Sequence, residues 1–166
     1  MVINLDKATL GWYMYQCIEI ARKTPYQIGR PYVGAIVVSQ EGEISGKGYK
    51  KFIPHTKRIM HAERVALDNA GYKTKQSYLF TTLEPCICVK KNQVLKSCSE
   101  LIVERGIDTV IIGMQDLSSA VHSEAGIKFL KNHGINVKRY HGLNNMVIDE
   151  LISQKWQNSF LNYNQR

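Results

Sequence analysis

Residues 60–83, Met60-His-Ala-Glu-Arg-Val-Ala-Leu-Asp-Asn-Ala-Gly-Tyr-Lys-Thr-Lys-Gln-Ser-Tyr-Leu-Phe-Thr-Thr-Leu83, change hydrophobic period half-way along. Up to Ala70 the apolar side chains Met60, Ala62, Val65, Ala66, Leu67 and Ala70 recur at helical spacing, and Gly71 stops the run. This predicts a helix over 60–70. From Ser77 to Leu83 the residues are aromatic and β-branched, and the run has the length of a strand. The alternation then repeats. Residues 98–105 read as a helix ended by Gly106, Thr109 to Gly113 as a buried strand, Ser123 to Asn132 as a helix ended at Gly134, and Ile135 to Arg139 as a last strand. Helices between successive strands demand parallel pairing with right-handed crossovers.

Towards the N-terminus, Leu10, Met14, Cys17, Ile18 and Ala21 mark a helix over 6–23, with Asp6 as its N-cap. Val33-Gly-Ala-Ile-Val-Val38 is nearly all apolar, the mark of a strand covered on both faces. A turn at 40–43 lets Ile44 to Tyr49 pair back as a hairpin. At the other end, Met146, Val147, Ile148, Leu151, Ile152 and Trp156 predict an amphipathic helix over about 144–162. The order α-β-β-α-β-α-β-α-β-α predicts one α/β domain over 1–166, a three-layer α/β/α sandwich around a five-stranded mixed sheet.

Composition agrees. The 166 residues are 44% hydrophobic and 22% charged, enough apolar side chain for a core. This excludes a disordered tail, a collagen-like fibre and a disulfide mini-scaffold. No apolar run approaches about eighteen residues, so no membrane-spanning helix is expected. The first residues lack the basic and apolar regions of a secretory signal. Four cysteines, at 17, 86, 88 and 98, are spaced like a site rather than a disulfide framework, and a cytoplasmic address is expected. The formal charge of +8 favours anionic partners. Lys47, Lys50, Lys51, Lys57 and Arg58 form one acid-free stretch, and Lys90, Lys91 and Lys96 a second.

Three pieces carry chemistry. His61-Ala-Glu63 lies at a helix start, Glu84-Pro85-Cys86 follows a strand, and Cys98 opens the next helix between Ser97 and Ser99. An imidazole and two thiolates suit Zn2+, and three protein ligands leave a position for solvent, the pattern of a catalytic site. Unpaired N–H groups at helix starts favour thiolates. A carboxylate two residues from the histidine, Glu63, can take a proton from an activated water and pass it to a departing nitrogen. Alone, a His-x-Glu or a Pro-Cys carries little. Their combination, each piece at a strand end or helix start, is what carries the argument. Cys17 lies on the apolar stripe of the first helix and reads as core. Cys88, two residues from Cys86, competes with Cys98 as the third ligand.

On these motifs the chain resembles the cytidine-deaminase-like superfamily of zinc deaminases, and within it the deaminase domain of the bifunctional riboflavin-biosynthesis enzymes. The likeness runs through Pro31 to Val38, His61 to Ala66, Thr82-Leu-Glu-Pro-Cys86, Cys98 to Ile107, Val110 to Asp116 and Gly126 to Ile135. It implies zinc held by His61, Cys86 and Cys98, with Glu63 as proton shuttle. Most of the superfamily uses Cys-x-x-Cys, a spacing that Val89 breaks here. The riboflavin branch has a longer loop, which favours Cys98 with Cys88 in reserve. Substrate-side features depart from the family. Arg30 replaces an asparagine, Ile87 to Ser97 replaces a Ser-His/Thr-Pro-Pro loop with three extra residues, and Leu117-Ser118-Ser119 replaces Pro-Asn-Pro. No reductase domain is expected to follow.

The resemblance implies a hydrolytic deaminase of an aminated pyrimidine, by default the diaminohydroxy-ribosylaminopyrimidine phosphate of riboflavin biosynthesis, and a homodimer or homotetramer. Arg30, Lys57, Arg58, Lys90 and Lys91 are the candidate substrate contacts. A second reading is deamination of cytosine or adenine in nucleic acid, tRNA or single-stranded DNA, with Tyr32, Tyr49 and Phe52 as stacking candidates. A third is a non-catalytic zinc-binding module closed by Cys88.

Overall fold

The computed structural model describes residues 2–87, 95–116 and 124–152. Helix α1 (Lys7–Ala21) starts where the Asp6 carboxylate accepts the Thr9 N–H at 2.8 Å, satisfying a donor that the first turn leaves open. Strands β1 (Gly34–Val38) and β2 (Ile44–Tyr49) form the expected hairpin. A short ribbon follows, β3 (Lys51–Phe52) against β4 (Ile59–Met60). Then come α2 (Ala62–Ala70), β5 (Tyr78–Leu83), α3 (Cys98–Glu104), β6 (Thr109–Met114), α4 (Ala125–Asn132), β7 (Asn136–Arg139) and α5 (Asn145–Ile152). The remainder of the helix expected to 162 lies outside the described residues.

The main sheet has five strands in the order β2-β1-β5-β6-β7. Strand β1 runs antiparallel to both its neighbours, and β5, β6 and β7 are parallel. The mixed α/β/α sandwich read from the sequence is the observed fold. Ile36, Phe80 and Ile111 are register partners across three strands and share the face covered by α1, where Phe80 packs on Tyr13 with 4.9 Å between ring centroids. Helix α5 joins α1 there: Arg22 pairs with Glu150 at 2.8 Å, and the Tyr32 N–H donates to the Leu151 carbonyl at 2.8 Å. Helices α2, α3 and α4 pack in turn over the other face. Fully burying a side chain such as Leu67 or Ile36 is worth about 1.5–3 kcal/mol.

Helix α2 lies almost in contact with the backbone of β2. A Cβ added at Gly46 would fall 2.2 Å from the Ala66 carbonyl oxygen, and one at Gly48 would fall 2.2 Å from that of Ala62. Any side chain there would push helix and sheet apart.

One boundary differs from expectation. Ile59 and Met60 are strand, not the start of the helix, which begins at Ala62. Met60 supplies apolar spacing to the helical pattern, but its backbone pairs with Lys51. His61 is left as the extended N-cap residue (φ −73°, ψ 152°).

Candidate active site

The ends of β4 and β5 and the starts of α2 and α3 meet at one place. His61 caps α2 and stands exposed, Cys86 follows β5 and is half-buried, and Cys98 is the first, buried residue of α3. Nδ1 of His61 lies 3.4 Å from Sγ of Cys86 and 3.5 Å from Sγ of Cys98. All three ligand atoms fall within 4.8 Å of one another. A nitrogen and a sulfur on one tetrahedral ion, at bond lengths of about 2.1 and 2.3 Å, sit roughly 3.6 Å apart. The donor set and its spacing therefore fit zinc. Among the described residues this is the only cluster of three or more such side chains. Cys88 lies outside them. Cys17 is buried in the core, where its thiol is pushed well above the ordinary range.

Local structure fixes the sulfurs. The Ser97 hydroxyl accepts the Glu100 N–H at 3.2 Å, while the Glu100 carboxylate accepts the Ser97 N–H at 2.7 Å, a reciprocal cap that starts α3 at the ligand. Ser99 then donates its N–H to the Cys86 carbonyl (3.1 Å) and its hydroxyl to the Pro85 carbonyl (3.2 Å), tying both thiol segments together. Arg64 of α2 bonds the Lys96 carbonyl. A hydrogen bond from Cys98 draws Cys86 down towards the thiolate, and the same bond, with burial, holds Cys98 up. His61 is raised by its bond to Cys86.

Beside the trio is a cavity of about 170 Å³ lined by His61, Cys86, Lys50, Glu63, Glu84 and Asp116. Glu63, in the first turn of α2, is 3% exposed, and burial pushes its carboxyl up to about 7. Glu84, equally buried, accepts backbone N–H groups from Asp116 (3.3 Å), Gly126 (3.1 Å) and Ile127 (3.3 Å), so it caps α4 from just beyond the end of β5. Burial is the main cause that raises its carboxyl. Lys50 is lowered by burial and drawn back up by Glu63.

The sequence-predicted substrate contacts are more dispersed. Arg30 lies outside the cavity lining. It bonds the Glu150 carbonyl and stacks on Tyr32, 3.9 Å above the ring centroid. Lys57 and Arg58 are exposed in the turn of the ribbon. Lys90 and Lys91 lie outside the described residues. Tyr49 is half-buried against the core, Tyr32 is buried, and Phe52 is 37% exposed. The sequence reading gave no role of their own to Lys50, named only within a basic stretch, or to Glu84, named only within Glu84-Pro85-Cys86. The signal for Lys50 was its parity with Gly46 and Gly48 at the end of a strand. That for Glu84 was an acid in an otherwise apolar strand end.

The model for the cytidine and deoxycytidylate deaminase zinc-binding region matches residues 7–114. The chain belongs to this deaminase family. It is 36% identical over 139 residues to the riboflavin biosynthesis protein RibD of Aquifex aeolicus, covering 82% of this chain and 35% of that protein. It is 34% identical over 128 residues to the diaminohydroxyphosphoribosylamino-pyrimidine deaminase of Buchnera aphidicola, covering 76% of this chain and 81% of the relative. The chain thus spans about a third of the RibD relative and most of the other. A solved diaminohydroxyphosphoribosylaminopyrimidine deaminase/5-amino-6-(5-phosphoribosylamino)uracil reductase from Thermotoga maritima matches with a TM-score of 0.69 at 32% identity, over 88% of this chain and 40% of that one. Zinc is the metal of this deaminase family, and His61, Cys86 and Cys98 form the group placed to hold it. No helix among the described residues is long and apolar enough to cross a membrane.

Proposed function

We propose that the chain is a hydrolytic deaminase that releases ammonia from an aminated pyrimidine, with the diaminohydroxyphosphoribosylaminopyrimidine named for its relatives as default substrate. The observation that carries this reading is Glu63, buried in the cavity beside the His61, Cys86 and Cys98 cluster without belonging to it. A structural metal site has no use for such a carboxylate. His61, Cys86 and Cys98 would hold the zinc, which when bound supplies a Lewis acid that makes water nucleophilic near neutral pH. Glu63 takes the proton of the attacking water and delivers it to the exocyclic nitrogen. The C–O bond forms, the C–N bond breaks, ammonia leaves and a ring carbonyl remains. Lys57 and Arg58, with Lys90, Lys91 and Arg30, are assigned to the phosphate. A reducing cytoplasm, where thiol ligands persist, and a homodimer or homotetramer complete the proposal.

The test is ammonia release across pyrimidine, purine, nucleotide and single-stranded oligonucleotide substrates, with Glu63→Ala as blank. Turnover of the phosphoribosylated diaminopyrimidine by the wild type alone supports the reading. Zinc content unchanged with no turnover of any substrate overturns it. Nucleic-acid deamination is favoured by one feature, the exposed basic turn of the ribbon at Lys57 and Arg58. It requires oligonucleotide turnover whose affinity falls steeply with salt, as several phosphate contacts demand.

A further inference from the structure

We infer that Lys50 determines which heterocycle this chain accepts, by donating a charge-assisted hydrogen bond to a ring carbonyl oxygen of the substrate. The inference rests on the deaminase reading and names the part of the site that reads the ring. Two independent features bring Lys50 to the reaction centre. In the β3–β4 ribbon, Phe52 pairs with Ile59 and Lys51 with Met60, and the same register carried one step past its base sets Lys50 opposite His61. Along β2, alternate residues share a face. Gly46 meets Ala66 and Ala70, and Gly48 meets Ala62 and Ala66. Position 50 continues that series towards the first turn of α2, where Glu63 sits, and Lys50 and Glu63 line the same cavity.

The ammonium is anchored but not exhausted. Nζ donates to the Pro31 carbonyl at 2.9 Å, and a lysine carries three donors, so further protons remain to be given. The other charged residues of the lining are the acids Glu63, Glu84 and Asp116, and Lys50 is the only cation among its described residues. Position decides what Lys50 reads. The cavity is lined by Glu63 and by two of the three metal-site residues, His61 and Cys86, so what it holds next to Lys50 is the reacting ring. A donor-only cation in that space matches an oxygen acceptor and rejects a ring edge that offers an amino group.

The experiment compares the phosphoribosylated diaminopyrimidinone with an analogue carrying hydrogen in place of the ring oxygen. Steady-state turnover is measured for the wild type, Lys50→Met and Lys50→Arg. Dissociation constants of both compounds are measured by calorimetry on zinc-loaded Glu63→Gln and on Glu63→Gln with Lys50→Met, where turnover is blocked. The expected result is a preference for the oxo compound of tenfold or more in kcat/KM and in affinity, shrinking below threefold with Lys50→Met while zinc content and Tm hold. Lys50→Arg should restore part of it. An undiminished preference with Lys50→Met, or an equal loss on both compounds, overturns the inference and leaves the deaminase reading standing. Failure of the wild type to release ammonia from any substrate, with no binding by Glu63→Gln, overturns both.

Discussion

Glu63 and Glu84 are carboxylates in the same cavity, each 3% exposed, and their surroundings separate their work. Three backbone N–H groups hold Glu84, which makes it a fixture of the loop and helix opposite. Glu63 sits near two thiols and an imidazole, with its proton affinity raised by burial. Glu63→Gln should therefore lower kcat by about 10²–10⁴-fold with metal content unchanged, measured by ammonia release and elemental analysis. Glu84→Ala would leave two buried donors, on Gly126 and Ile127, open, and at about 1–3 kcal/mol for an unsatisfied group it should cost at least about 2 kcal/mol in urea denaturation. Sequence disclosed His61, Glu63, Cys86 and Cys98 because each sits in a short motif with a chemical meaning. Lys50 was hidden in a basic run. What distinguishes it from Lys47 or Lys51 is register, which exists only once the ribbon has paired.

Among the elements, α3 joins stability to the metal centre most directly, since its capping box runs from Ser97 to Glu100 and its first residue is Cys98. Ser97→Ala should cost about 1 kcal/mol of stability and weaken zinc retention against a chelator. A Cβ at Gly48 meets the backbone of α2 at 2.2 Å. Gly48→Ala should therefore destabilise by about 1–3 kcal/mol, the usual range for overpacking, and lower metal affinity by displacing the helix that carries His61. Strands β1, β5 and β6 were legible because continuous apolar runs have few other uses. The ribbon was not, because two-residue strands carry no periodicity and their connection, with Pro54 and several cations, has the composition of a loop. Met60 misled for the same reason: apolar spacing cannot distinguish a strand end from the first turn of a helix when the capping residue is a histidine.

At the scale of the molecule, the pairing of α1 with α5 closes the sandwich on the face opposite the site's helices. Its charged link is Arg22 with Glu150, at 2.8 and 2.9 Å, with Glu19 as a second partner of Arg22. The hydrogen bond from Arg22 holds the Glu150 carboxyl below its usual value of 4.5. A carboxyl depressed on folding adds stability that is complete above its unfolded value and fades as pH falls through the folded one. Wild type and Glu150→Gln should therefore differ by about 0.2–1 kcal/mol near pH 7, since both side chains are partly exposed. The gap should close progressively below about pH 4.5, read as Tm against pH. The ribbon that joins Lys50 to His61 has a longer reach. Its two strands run out and back between the proposed reader of the ring and the first metal ligand, with the Ile53 N–H donating to the Arg58 carbonyl near its tip. Lengthening it by a matched pair of residues at the tip would leave the base untouched, whereas adding one residue to a single strand would turn a different side chain towards the reacting carbon. On the Lys50 proposal, the length of β3 becomes a selector dial, turned at a strand that carries no metal ligand.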